Sequence, residues 1–495
     1  MKLSKLFVGF LGFIGIASAA FAEVKPALIF SDNMVLQANA PIRVWGTAEK
    51  GEKVSVEFMG TSASAVADDK GFWRVDLPAQ KYVKEGVEMT IQGINKIIFR
   101  DVLVGEVWLG SGQSNMEFQM RHVKELNEVA KNPNFPSNIR YFLIKAHGSP
   151  TPEDMHNLPE SAGWKKYHRD NYEVTRDMSI LLTLFAQKMY GELDVPIGVI
   201  SAAFGGANLE SWMSKEAIAE AGMAEHAKKL LNTCRNWHND DVKRWEAKPK
   251  EKRYTLPFPR LNYESRPSNS YNAMMNPIIP YSIRGVLWYQ GEMNSGPENY
   301  IKLFPYYAKM MRGIFENPNL PIYSVQLPDY KENHWPKTRD VQRKLADIVP
   351  NTGVAVTIDG HEMDLHPRDK TMVVDRLSRM VLADNYGKKI VSRSPMPVKV
   401  SQKGSAIEVK FKNTYKGLKL NNDSKEVNCF EVAGSDKKFV KAPAKIASKT
   451  SVLVKIPSEV SNPEFVRYAW EADPDVNLYN SGDLPASPFE EPVSK

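Results

Sequence analysis

The sequence predicts an α/β protein whose open, mostly parallel sheet is flanked by two β regions. Three observations lead there. From about Val104 to Gly387, apolar β-rich runs alternate with longer amphipathic segments, the rhythm of parallel strands joined by crossover helices. Before that stretch and after Arg393, short strands are broken by turns, the texture of antiparallel layers. The chain has 495 residues, 42% hydrophobic and 25% charged, which at roughly 150 residues per domain suggests about three domains. With 30 Gly, 32 Pro and 2 Cys, a collagen-like repeat and a disulfide-stapled miniature are excluded.

Residues 1–22 read as a removable export leader. Met1 to Lys5 is a basic start, Leu6 to Ile16 is apolar, and Ala20-Phe21-Ala22 is a small-x-small cleavage site. That apolar run falls short of the roughly 20 residues a membrane span needs, and no later stretch reaches it, so stable membrane insertion is not expected. The expected location is secreted or periplasmic. Residues 23–103 form the N-terminal β region, with strands at Met34 to Leu36, Ile42 to Gly46, Val54 to Phe58 and Trp73 to Leu77. Residues 104–390 form the α/β core. Its buried parallel strands are expected at Val107 to Leu109, Ile197 to Ala203, Gly285 to Tyr289, Ile322 to Gln326 and Val354 to Ile358. The helices between them are expected at Ile180 to Gly191, Tyr300 to Phe315 and Thr371 to Tyr386. A charged segment, about 214–262, interrupts this rhythm and reads as a helical insertion over one rim of the site, carrying Trp237 and Trp245. Residues 391–495 return to β structure at Val398 to Val400, Ala406 to Phe411 and Ser451 to Val454.

A formal charge of +7 on such a chain says little about partners. The densest basic run, Lys248-Pro249-Lys250-Glu251-Lys252-Arg253, holds a Pro and a Glu and reads as a solvated loop, so nucleic acid is not an expected partner. Cys234 and Cys429 stand either as one long-range disulfide or as two buried thiols, and neither has a metal-ligand spacing.

Ligands of open α/β sheets bind beyond the C-terminal strand ends, and four such ends carry chemistry. In Gly110-Ser111-Gly112-Gln113-Ser114-Asn115-Met116-Glu117 a strand runs through glycines to a serine. A helix starting there would turn its N–H groups and dipole towards developing negative charge. Ser114 is either a presented hydroxyl or a helix N-cap. In Phe204-Gly205-Gly206-Ala207 a strand ends in paired glycines, a tight turn or a close approach to ligand. Gly285 to Asn294 brings Gln290, Glu292 and Asn294 to the same edge. An amide there can donate to an oxyanion, while Glu292 reads as a buried carboxylate satisfied by backbone amides or Arg. Finally, Asp359 to Lys370 places His361 and His366 among carboxylates, a base with groups to orient it. A metal site is also conceivable there, without a known ligand spacing.

Serine early, glycine in the middle, an amide later and histidine last is the order found in SGNH (GDSL-like) hydrolases. At closer range the chain resembles the sialate O-acetylesterase family of that superfamily. The matching stretches are Phe30-Ser31-Asp32-Asn33-Met34-Val35-Leu36-Gln37, Gly112-Gln113-Ser114-Asn115-Met116, Gly205-Gly206, Tyr271-Asn272-Ala273-Met274, Trp288-Tyr289-Gln290-Gly291-Glu292, His366-Pro367-Arg368-Asp369-Lys370 and Asn477-Leu478-Tyr479-Asn480. The resemblance implies a flavodoxin-like SGNH sheet flanked by N- and C-terminal β-sandwich-like regions. It implies a serine esterase that removes O-acetyl groups from carbohydrates through an acetyl-enzyme, with Ser114 as nucleophile, His366 as base and no metal or other cofactor. Its oxyanion donors would be the N–H groups of Ser114 and Gly206, with Gly205 second to Gly206, and the side chain of Gln290 or else Asn294. The family pattern D-x-x-H is broken, because Met363 stands three before His366. Asp364, two before, is the expected third member, and a Ser–His dyad is the alternative.

The substrate implied is a hemicellulose such as xylan or xyloglucan, with 9-O-acetyl sialic acid as the alternative. A sialate carboxylate would want an arginine, and Arg266, Arg339 and Arg368 are the candidates. A non-catalytic carbohydrate-binding protein is the reading from another class. A lipase or peptidase would want an apolar lid, which the charged insertion does not resemble. The oligomeric state is not legible.

Overall fold

The computed structural model describes residues 23–123, 136–158, 163–167, 176–253, 264–294, 297–332 and 334–495. The expected leader, residues 1–22, and the end of the insertion, 254–262, lie outside the described residues.

The spine of the molecule is a 17-residue strand, β1 (Lys96–Gly112). Its first half pairs with Val83–Gln92 and Val35–Gln37 of the N-terminal region. Its second half is the middle of the central sheet. The other strands there are β2 (Ile139–Ile144), β3 (Trp164–Lys166), β4 (Ile197–Ala203), β5 (Gly285–Tyr289), β6 (Ile322–Val325) and β7 (Thr352–Ala355). They lie in the order β3-β2-β4-β1-β5-β6-β7, all parallel except β3, which runs antiparallel to β2 at the edge. Without β2 and β3 this is the order of flavodoxin-like sheets, in which ligands sit at the switch point beside the first strand.

The helices are α1 (Ser114–Glu117), α2 (Ile180–Leu193), α3 (Lys215–Glu220), α4 (Ala224–Glu246), α5 (Lys250–Arg253), α6 (Pro297–Ile314), α7 (Trp335–Ile348) and α8 (Thr371–Tyr386). Successive strand side chains point to opposite faces. Trp108, Leu287 and Tyr289 therefore pack with Leu181 of α2 and Leu377 of α8 on one face. Val107, Leu109 and Trp288 pack with Leu303 and Phe304 of α6 on the other. Both faces being covered, β4 and β5 are buried at every residue, which is why they read as unbroken apolar runs.

The second face shares its core with the N-terminal region, where Val44, Trp45 and Trp73 join the same cluster. Lys25–Pro26, Ile42–Thr47 and Phe72–Leu77 form a separate three-stranded sheet over it. The C-terminal region holds two four-stranded antiparallel sheets around one core, and that core includes Val356 and Ile358. These residues were expected inside the last parallel strand. They instead leave the sheet after Ala355 and plug the C-terminal layers.

The insertion is helical as expected, in α3, α4 and α5. The basic run is exposed but folds partly into α5 rather than a loop. Cys234 and Cys429 are both free, so the disulfide alternative is set aside; Cys234 is buried and Cys429 half-buried. No helix among the described residues is long and apolar enough to cross a membrane.

Candidate active site

β1 and β5 end side by side. Gly112 has φ +135°, and a Cβ there would lie 2.1 Å from the Tyr289 carbonyl oxygen, so no side chain fits. The chain turns at Gln113, and Ser114 is the first residue of α1. The N-cap is Gln113 and not Ser114, which removes the capping role for the hydroxyl. α1 is four residues long, so the expected helix dipole is reduced to one turn of N–H groups.

Facing Ser114 is the loop between β7 and α8. His366 Nε2 lies 2.7 Å from Ser114 Oγ. The imidazole is half-buried and stacks on Phe118, with ring centroids 5.9 Å apart and planes 14° apart. Burial lowers its pKa first, the nearby Lys370 ammonium lowers it further, and Asp364 pulls the other way. A base kept neutral in this way is poised to take a proton from a serine hydroxyl.

Asp364 does not complete a triad. Its Oδ1 accepts the backbone N–H of His366 at 3.0 Å, an Asx turn, and among the described residues nothing hydrogen-bonds the His366 Nδ1. The expectation rested on residues i and i+2 facing the same way in an extended loop, but the chain enters Asp364 from a left-handed residue, Met363 at φ +48°, and the Asp364 carboxylate turns back onto the His366 N–H. His361 is exposed and pairs with Asp473, away from Ser114. The loop is anchored elsewhere. Arg376 donates to both oxygens of Asp359 at 2.6 and 2.7 Å, and Asp329 Oδ2 accepts the Met363 N–H at 2.8 Å.

The Gly205–Gly206 turn at the end of β4 borders the serine. A Cβ on Gly205 would lie 3.7 Å from Ser114 Cβ. The Gly205 N–H is taken by Glu117 Oε2 at 2.7 Å, which bars it from receiving substrate charge. Gly206, φ +78°, and Ser114 keep N–H groups with no acceptor among the described residues. Burial pushes the Glu117 pKa up, with the Gly205 N–H opposing it.

The amide side chains do something other than expected. Gln290 Nε2 spends its donors on Asn294 Oδ1 (2.6 Å), Gln113 Oε1 (3.2 Å) and the Ala207 carbonyl (3.2 Å). Asn294 turns its amide nitrogen to Glu210 Oε2 at 2.9 Å, and Glu210 Oε1 is 2.7 Å from His226 Nε2 on α4. Gln113 Oε1 also accepts the N–H groups of Gly291 and Met293, both at 3.3 Å. Both amides thus brace the turn before Ser114 and tie it to the insertion, in place of an open oxyanion donor. Glu292 is a buried carboxylate as expected, held by Asn115 Nδ2 at 2.8 Å and by its own backbone N–H, with no arginine among its partners in the described residues.

The three arginines separate. Arg339 is fully buried on α7 and donates to the carbonyls of Leu327, Pro328, Glu471 and Ala472, which makes it a structural clamp and removes it from substrate. Arg266 is half-buried and lines a cavity of about 260 Å³ with Ile218, Leu231 and Pro267 under α4. Arg368 is exposed two residues beyond His366. Trp237 is exposed on α4, and Trp245 donates its indole N–H to the Arg253 carbonyl. No His, Cys, Asp and Glu grouping that could hold a metal ion occurs among the described residues.

Sequence reasoning passed over Asn115, Glu117, Phe118 and Lys370, although three of them lie inside the motif blocks. Their polar types next to a serine and a histidine were the signal.

A family model described as "Carbohydrate esterase, sialic acid-specific acetylesterase" matches residues 104–391, more than half of the chain. The chain is 27% identical to a sialate O-acetylesterase from Mus musculus over 527 residues, covering 94% of each. It is 26% identical to a sialate O-acetylesterase from Homo sapiens over 510 residues, covering 94% of this chain and 91% of the other. Among solved structures, a carbohydrate acetylesterase from Xanthomonas citri matches with a TM-score of 0.79 and 28% identity, covering 94% of this chain and 99% of that one.

Proposed function

The chain belongs to the sialic acid-specific acetylesterase family of carbohydrate esterases, and from that premise we propose that it is an exported serine esterase working through an acetyl-enzyme. The reading is carried by the 2.7 Å contact of Ser114 Oγ with His366 Nε2 at the switch point of the sheet. Ser114 Oγ attacks the acetyl carbonyl as His366 takes its proton. The oxyanion is received by the N–H groups of Ser114 and Gly206. His366 returns the proton to the departing sugar oxygen, and water then releases acetate by the same steps in reverse. No carboxylate is assigned to Nδ1, so the pair acts as a dyad.

The substrate class is an acetylated carbohydrate. Within it we favour an acetylated hemicellulose such as xylan or xyloglucan. The sialate reading is supported by the names of the curated relatives, and in that case Arg368, exposed two residues beyond His366, would be the arginine to meet a carboxylate. Ser114→Ala is expected to lower kcat on p-nitrophenyl acetate by on the order of 10⁶-fold in a folded protein. Activity near the wild-type level would overturn the assignment of Ser114 as nucleophile. Comparing acetate release from acetylated xylan with that from 9-O-acetyl sialic acid separates the two substrates. Export is tested by N-terminal sequencing of the mature protein, which is expected to begin at Glu23.

A further inference from the structure

Among the described residues the Ser114–His366 pair has no carboxylate on the imidazole Nδ1, yet the ring is held against the nucleophile. The Leu365 carbonyl, one peptide before His366, accepts from Asn115 Nδ2 at 2.9 Å, and Asn115 is the residue after Ser114. The same Nδ2 donates to Glu292 Oε1 at 2.8 Å. Asn115 Oδ1 accepts from Lys370 Nζ at 2.6 Å. Lys370 stands at the start of α8 and is completely buried, an expensive place for an ammonium unless it is held by partners. Its Nζ also lies 5.4 Å from the ring centroid of Phe118 and 5.5 Å from that of Tyr289, within cation–π range. Phe118 is the ring on which His366 stacks.

We propose that Lys370 is a positioning residue for this dyad: through Asn115 and Leu365 on one side and Phe118 on the other, its buried ammonium fixes the His366 imidazole against Ser114. This rests on the serine–histidine reading above. The ammonium faces Glu292 beyond β5, and Glu362, Asp364 and Asp369 in its own loop. Burial pushes its pKa down to about 8 while those carboxylates hold it up, so the charge is present at neutral pH. Lys370, His122 and Asp364 are the charged or titratable groups felt by His366, and the first two both disfavour the imidazolium.

Lys370→Met in the full chain, assayed on p-nitrophenyl acetate, removes the charge and keeps the length of the stem. Misplacement of a base by a fraction of an ångström is expected to lower kcat by about tenfold or more with KM nearly unchanged. The acid limb of kcat/KM is expected to move to higher pH, because a repelling charge has gone; a purely structural lysine would lower the melting temperature and leave kcat in place. Asn115→Ala, which keeps the ammonium, is expected to lower kcat without moving the limb. A folded Lys370→Met with wild-type kcat and an unmoved limb overturns the proposal. If that variant does not fold, wild-type kcat in Asn115→Ala overturns it. Phenylmethylsulfonyl fluoride is applied to the wild type in parallel. Failure to label Ser114 defeats the dyad itself, whereas labelling together with an inert Lys370→Met defeats only the positioning role.

Discussion

At the scale of single residues, the use of Asp364 on a backbone N–H sets it apart from a triad carboxylate in a measurable way. Asp364→Asn keeps an oxygen for the His366 N–H, so kcat is expected to stay within about tenfold of wild type, whereas a triad aspartate replaced by asparagine costs about 10⁴-fold. Steady-state kinetics on p-nitrophenyl acetate decide it. The pH profile is a second test. The base must be neutral to act, and burial and Lys370 lower the His366 pKa from its ordinary value. Activity should therefore persist below about pH 6.5, the usual histidine range, and fall only as pH drops through the lowered pKa. An acid limb at or above the ordinary value would contradict that environment. Ser114 and His366 were legible because each sits in a linear motif just past a core strand. Asp364 was misread because it closes an Asx turn after a left-handed residue, Met363, instead of lying in an extended loop, and Met is not a residue type that announces φ > 0.

At the scale of elements, the turn after β4 is held by α1 as well as by its own bond from the Ala207 N–H to the Phe204 carbonyl. Glu117 grips the Gly205 N–H, and Gly206 next to it offers the free donor. Glu117→Ala is expected to loosen that donor and lower kcat by about tenfold, up to the roughly hundredfold that follows loss of one oxyanion donor, with KM little changed. Glu117→Gln, which keeps an acceptor oxygen, should retain more of it, and comparing kcat for the two variants is the check. The strands that frame this site were legible because burial on both faces makes their runs continuously apolar, and α8 because its stripe is apolar. α7 was not legible. It buries Thr338, Arg339, Asp340, Gln342 and Arg343, polar groups satisfied inside the protein, so a segment that keeps the period of a helix carries too few apolar residues to stand out. Nor did β2 and the edge strand β3 announce themselves: β3 is only three residues long.

At the scale of the whole molecule, the C-terminal region is wired into the catalytic core at several points. Arg339 reaches the carbonyls of Glu471 and Ala472 at 3.0 Å each, Gln326 Nε2 donates to Ser487 at 3.1 Å, and Arg343 pairs with Glu491 at 2.5 Å. Tyr479, from the Asn477-Leu478-Tyr479-Asn480 block, donates to Asp359 at 3.1 Å, the carboxylate that anchors the His366 loop through Arg376. A motif more than a hundred residues from His366 in sequence thus supports the loop that presents it, which sequence reading recorded as a resemblance without a physical role. Removing residues 391–495 would uncover Val356 and Ile358 and leave the buried donors of Arg339 short of acceptors, at about 1–3 kcal/mol for each unsatisfied group. Against a net stability of about 5–15 kcal/mol, that loss with the exposed core is enough to unfold the remainder. A chain ending at residue 390 is therefore expected to be insoluble or inactive. By the same coupling, scanning calorimetry of the intact protein should show the α/β core and the C-terminal layers melting in one transition. An active, soluble truncation, or a separate early transition with esterase activity intact above it, would show that the layers only border the core.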